Sequence, residues 1–216
     1  MTTPAIEYLE AIEDLSPGAV LTVHGLSWSE YQGLLADLGD DRSVRLTYDR
    51  GKLEAMSPSS KHERSKEFLS HLARIAAIES GCDLESLGST TQKQQWKDRG
   101  AEPDACFYVQ NAARIIGKSQ IDLRTDPPPD IVVEIDLSHQ SPSKLEIYSA
   151  MGINELWRYD GQRLSIYHLT GKVYVEAESS LAFPILTARL LSEFIKKSHV
   201  DGQSAALRAF QARIRN

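Results

Sequence analysis

The chain has 216 residues, 41% of them hydrophobic and 25% charged, with a net charge of −6. This is ordinary globular composition for one or two domains, and it excludes disordered, collagen-like and disulfide-built classes. The acidic balance also weighs against a protein that coats nucleic acid through a broad basic surface, although residues 189–216 hold two acids against six bases, net +4.

Cys82 and Cys106 cannot staple a secreted fold. The longest apolar runs, such as Ile131 to Val133 and Leu186 to Leu191, fall far short of the roughly 18 residues that cross a bilayer. Met1 to Asp14 carries four acids and no base, unlike a targeting peptide. The expectation is a cytoplasmic protein with no membrane partner.

Residues 1–24 read as an N-terminal extension. Ser27-Trp28-Ser29-Glu30 is a capping box, and Trp28, Tyr31, Leu34, Leu35 and Leu38 recur at helical spacing before Gly39, which predicts a helix over 28–38. Val44, Leu46 and Tyr48 alternate with polar residues, and Asp49-Arg50-Gly51 turns the chain into Lys52 to Met56, a hairpin. From Ser59 or Ser60 to Ser80 no Gly or Pro occurs, and Phe68, Leu69, Leu72, Ile75, Ala76 and Ile78 form an apolar stripe that ends at Gly81, the clearest helix in the chain. Strand-like runs follow at 83–87, 90–96, 104–109 and 131–137. A short helix fits 142–151, a hairpin spans 155–169 around Asp160-Gly161, a strand covers 172–176, and helices cover 187–197 and 203–213. Without a regular βαβ period this is a mixed α/β or α+β fold, with the main domain over 25–197 and a helical tail over 198–216.

The chemistry concentrates around one strand. Residues two apart share a face, so Asp130, Val132, Glu134 and Asp136 point one way and Ile131, Val133, Ile135 and Leu137 the other. Carboxylates in a row, at steps of about 7 Å, repel one another unless Lys, Arg or a divalent cation intervenes. Asp104 stands at the start of another strand, and Lys144 begins the helix after Glu134. Two strand-borne carboxylates plus a lysine suit metal-assisted phosphodiester hydrolysis, the carboxylates holding Mg2+ and the ammonium serving the water or the developing charge. By spacing alone the pattern is weak.

Four ordered segments make it specific. Pro103-Asp104, Pro129-Asp130-Ile131-Val132-Val133-Glu134-Ile135, Lys144-Leu145-Glu146-Ile147-Tyr148 and Gly152-Ile153-Asn154-Glu155-Leu156-Trp157 resemble the Uma2 family, also called DUF820. Arg45 to Pro58 with His62 resembles its entry hairpin and first core helix, and Phe183 to Phe194 its closing segment. The resemblance spans about residues 25–197 and implies a restriction-endonuclease-like fold of the PD-(D/E)XK superfamily, a mixed central sheet flanked by helices. It implies Asp104 and Glu134 as ligands of Mg2+ or Mn2+, Lys144 as a catalytic lysine migrated to the following helix because position 136 is Asp, and DNA as the substrate. It leaves room for a homodimer, since nucleases of this class often pair to cut two strands.

Asp136 is a candidate extra ligand or a neighbour of one. Asp130, about 13 Å from Glu134 along an extended strand, is a decoy. Glu63 opens the long helix, where it is either an additional acidic site residue or a first-turn acid paired with Lys66. His62 shares a register with Leu69, so packing or capping is as good a reading as function. Gln92, Gln94 and Trp96, alternating with lysines, read first as a protected edge strand. Arg208, Arg213 and Arg215 with Leu207, Phe210 and Ile214 form either a basic arm or an amphipathic packing helix. No His/Cys spacing for zinc, no phosphate-binding Gly loop and no nucleophile elbow occurs. The competing class is a non-catalytic binding or assembly module that keeps the fold.

Overall fold

The structure, a computed structural model, describes residues 3–39, 42–94, 98–137 and 142–215. Trp96 and its neighbours 95 and 97 lie outside the described residues. The element order is α1 (Thr3–Glu13), β1 (Val20–His24), α2 (Trp28–Leu38), β2 (Arg45–Asp49), β3 (Lys52–Met56), α3 (Ser60–Ser80), β4 (Glu85–Gly88), β5 (Gln92–Gln94), β6 (Arg99–Ala101), β7 (Ala105–Tyr108), β8 (Ile131–Ile135), α4 (Pro142–Met151), β9 (Glu155–Tyr159), β10 (Leu164–Thr170), β11 (Val173–Ala177), α5 (Ala188–Asp201) and α6 (Gln203–Arg215).

Two sheets divide these strands. The first, in the order β1-β3-β2-β6-β5, is antiparallel throughout and packs its apolar face on α1 and α2 through Ile12, Tyr31, Leu34, Leu46, Tyr48 and Leu53. The second, in the order β11-β10-β9-β8-β7-β4, is mixed: β8 and β9 run parallel, joined through α4, and the remaining neighbours are antiparallel. A parallel neighbour needs a crossover, and the crossover helix covers the sheet face that an open hairpin would leave wet. Helices α3, α5 and α6 cover the other face.

That layering explains β8. Ile131, Val133 and Ile135 enter the core with Phe68, Leu72, Trp157, Phe194 and Phe210, while Val132 enters a second core with Ile147, Tyr148, Met151 and Leu156 beneath α4. Every residue of β8 is buried, including Glu134. The expected alternation of faces is present, but the carboxylate face lies under a helix rather than in water.

Local signals set the helices. Ser27 and Glu30 form the capping box of α2. Ser59 caps α3 through His62 N, and Gly81 closes α3 at φ 66°, a left-handed conformation that glycine adopts without a Cβ penalty. The tail packs as the amphipathic helix: Ala206, Phe210 and Ile214 are buried against α3 and α5, while Arg215 pairs with Glu79. Among the described residues no helix is long and apolar enough to cross a membrane.

Three elements lie outside the sequence expectations. Helix α1 and strand β1 fall within residues 1–24, and β1 pairs with β3 over Val20 to His24. Strand β6 is Arg-Gly-Ala, with no β-branched or aromatic residue. Its conformation comes from its partners β2 and β5 and from the Tyr31 ring, which lies so close to Gly100 that an added Cβ would meet Tyr31 Oη at 2.5 Å.

Candidate active site

The two sheets meet where the C-terminal end of β8 faces the polar face of β1, β2 and β3. There, a groove of about 180 Å³ is lined by Thr22, Arg45, Thr47, Glu54, Ser57, Ser59, His62, Ile135, Asp136 and Lys144, among others. Asp104 is positioned from the backbone up. Its N–H donates to Val133 O at 3.1 Å and its Oδ2 accepts from Ile135 N at 2.7 Å, so the carboxylate is clamped beside the end of β8. Its other oxygen, Oδ1, is buried and has no hydrogen-bond partner among the described residues.

Glu134 lies on the face of β8 beneath α4. Lys144 and Tyr148 are one helical turn apart, so both project from α4 toward the same place. Lys144 Nζ donates to Glu134 Oε2 at 2.5 Å, and the Tyr148 hydroxyl donates to Glu134 Oε1. The three residues that the sequence sets apart, Asp104, Glu134 and Lys144, are thus gathered from the start of β7, the end of β8 and the start of α4.

Electrostatics follow from this crowding. Burial is the largest influence on Glu134, and with the charges of Asp104 and Asp136 it outweighs Lys144, raising the carboxyl from 4.5 to about 7. Burial would also raise Asp104, but His62, the Lys144 charge and the Ile135 N–H together hold it below the usual carboxylate range. Burial disfavours the Lys144 ammonium, yet the surrounding carboxylates, Glu134 first, keep it protonated well above the ordinary lysine value.

The remaining candidates separate. Asp136 accepts from Arg158 Nε at 2.6 Å, the pairing with a neighbouring strand that was the alternative to a metal, and it still lines the groove. Glu63 pairs with Lys66, stands 3.8 Å from Arg45, and is about a third exposed, 38% by side chain. Asp130 turns away. It accepts from Val109 N at 2.7 Å and from Asn111 N and Nδ2 at 3.0 and 2.6 Å, and so ties the loop after β7.

His62 is buried, with Nε2 3.0 Å from Asp104 Oδ2 and Nδ1 3.7 Å from Glu63 Oε1, ion pairs if the ring is protonated, and neither ring nitrogen has a hydrogen-bond partner among the described residues. Tyr148 is the residue that sequence reasoning passes over. Its signal is its position four residues after Lys144, at the end of the Lys144 to Tyr148 segment.

Comparison with family profiles gives the family. The profile named Uma2, described as a putative restriction endonuclease, matches residues 28–195. The chain belongs to the Uma2 family. A crystal structure of a putative nuclease belonging to DUF820, from Anabaena variabilis ATCC 29413, superposes with a TM-score of 0.53 over 79% of this chain and 99% of that one, at 16% identity. At that identity the likeness establishes the shared fold. No curated protein sequence matches this Uma2 chain.

Does the site suit a divalent cation? Among the described residues, no three His, Cys, Asp or Glu side chains are already gathered as a metal cage. Mg2+ keeps several waters and needs only one or two carboxylates. The unpartnered, buried Oδ1 of Asp104 and the mutual repulsion of Asp104, Glu134 and Asp136 are what a cation would satisfy, so the residues present fit the group.

Proposed function

We propose that this Uma2 protein is a metal-dependent nuclease that hydrolyses DNA phosphodiester bonds, with Asp104 and Glu134 holding Mg2+ or Mn2+ and Lys144 as the cation at the reacting phosphate. The observation that carries the reading is the mutual proximity of these three side chains, Lys144 lining the groove and the two carboxylates buried behind it, with Asp104 Oδ1 unpartnered among the described residues. The bound ion would supply Lewis-acid polarisation of the phosphodiester and make the attacking water more acidic.

The chain's own groups divide the remaining work. Lys144 stays protonated at neutral pH, so it acts as a fixed positive charge that stabilises charge developing on the phosphate oxygens rather than as a base. Tyr148 and Lys144 hold one oxygen each of Glu134 and thereby fix its carboxylate plane. Ile135 N–H does the same for Asp104. Asp136 keeps its pairing with Arg158 and acts on Glu134 through charge alone.

One observation favours the second reading, a nucleic-acid-binding or assembly module without catalysis: both oxygens of Glu134 are already satisfied within the chain. Cleavage of supercoiled plasmid separates the two. Under the nuclease reading the parent cuts only with Mg2+ or Mn2+, and Asp104→Asn and Lys144→Ala each lose at least about a hundredfold in rate. Equal cleavage by both variants would refute the assignment, and DNA binding by the parent without cleavage under either ion would select the module.

A further inference from the structure

Among the described groups that line the groove, His62 is a metal-ligating side chain whose chemistry is unspent. It is 5% exposed, and both of its ring nitrogens lack a hydrogen-bond partner. A neutral imidazole carries one donor and one acceptor, and burying both unmet is unfavourable. The ring cannot drift away from the site. His62 N bonds the Ser59 cap at 3.3 Å, which fixes the residue in the first turn of α3, and Nε2 is held 3.0 Å from Asp104 Oδ2. Its surroundings in the groove mix apolar residues, Ile135 and Leu137 among them, with Arg45, Thr47, Ser57 and Lys144, so polar partners stand within the same groove. The same carboxylate carries an unmet buried atom, Asp104 Oδ1, and Glu63 Oε1, also unmet, lies 3.7 Å from His62 Nδ1. A carboxylate with one unmet oxygen and an imidazole therefore stand side by side, 3.0 Å apart at Asp104 Oδ2.

We propose that His62 supplies a nitrogen ligand to the ion held at Asp104, which makes the centre selective for Mn2+ over Mg2+. The inference rests on the metal-dependent reading above and adds a donor of a different kind. Carboxylates and water serve both ions, whereas an imidazole nitrogen is a poor partner for Mg2+ and a good one for transition metals. His62 thus joins Asp104 and Glu134 as a third protein donor, with Glu134 held in place by Lys144 and Tyr148 and water completing the shell.

The test uses the full chain stripped of metal by a chelator. Mn2+ and Mg2+ are titrated calorimetrically into the parent, His62→Gln and Asp104→Asn, and the Mn2+-loaded parent is examined by pulsed EPR for imidazole nitrogen coupling. The proposal expects nitrogen coupling in the parent and a loss of at least about tenfold in Mn2+ affinity in His62→Gln, with Mg2+ affinity changed by less than about threefold. Mn2+ bound by the parent without nitrogen coupling, or bound equally by His62→Gln, overturns the proposal and leaves the metal-dependent nuclease standing. Binding of neither ion by the parent overturns both. Should His62→Gln fail to fold, judged by circular dichroism, the parent's EPR spectrum alone decides.

Discussion

The buried Glu134 should make the metal-free protein lose stability as the pH rises through neutrality. Its carboxyl is raised from 4.5 to about 7 by burial and by Asp104 and Asp136. A group that binds its proton more tightly folded than unfolded stabilises fully below the unfolded pKa, and that contribution disappears as pH rises through the folded pKa. The window is therefore from about pH 4.5 to about pH 7. At 1.36 kcal/mol per unit, complete ionisation of Glu134 in the folded state costs on the order of 3 kcal/mol, a large share of the stability of one domain. Lys144 lowers this cost, so Lys144→Met should deepen the loss. Glu134→Gln should flatten it. Urea denaturation at pH 5, 6, 7 and 8 in excess chelator measures all three proteins, and saturating Mn2+ at pH 8 should restore the parent, since a ligand of the folded state stabilises it. A parent whose midpoint is flat from pH 5 to 8 and coincides with that of Glu134→Gln would refute the electrostatic account of the site.

Other residues give sharper local outcomes. Asp130→Ala removes the acceptor of three hydrogen bonds from Val109 and Asn111 and should cost roughly 2–4 kcal/mol in urea denaturation, while the folded fraction cleaves at the parent rate, as expected of a carboxylate outside the site. Phe210→Ala opens a cavity where α6 meets Phe194 and α3; a loss of about 3–5 kcal/mol is expected, and a loss under about 1 kcal/mol would mean that the tail is not docked. Tyr148→Phe removes the hydroxyl that fixes Glu134 Oε1, and steady-state kinetics should show a lower kcat with KM little changed.

The sequence makes the carboxylate strand, the long helix and the two hairpins legible because each is a local pattern: period two in Arg45 to Met56, an unbroken apolar stripe from Phe68 to Ala76, and glycine at the turns. Strand β6 is illegible for the opposite reason. Arg99-Gly100-Ala101 has no strand propensity of its own, and the neighbours on both sides and the Tyr31 ring over Gly100 impose its conformation. Strand β1 is locally strand-like, Val-Leu-Thr-Val-His, yet its purpose is visible only once β3 lies beside it. At the site, Glu134 and Lys144 can be paired by reading a strand followed by a helix. The contact of His62 with Asp104 cannot, because it joins the first turn of α3 to the start of β7 across the gap between the sheets.

The position two residues after Glu134 shows how the fold decides where the cation comes from. Asp136 shares the face of Glu134, so a lysine at 136 would be the shortest route to a cation there. In this chain that place is an acid, and the parallel neighbour β9 answers it with Arg158, whose register partner on β8 is Glu134 itself. The guanidinium is thereby committed to Asp136, and the nearest cation free to reach Glu134 must arrive from the layer above the sheet. Helix α4 is that layer, and its Lys144 and Tyr148, four residues apart, meet both oxygens of the carboxylate. An overall charge of −6 is then compatible with action on a phosphodiester. Much of the acid near the groove is bound to Arg158, Lys144 and Lys66, and the buried atoms without a hydrogen-bond partner there, among the described residues, include Asp104 Oδ1, Glu63 Oε1 and the His62 ring nitrogens, electron-pair donors that one divalent cation can engage.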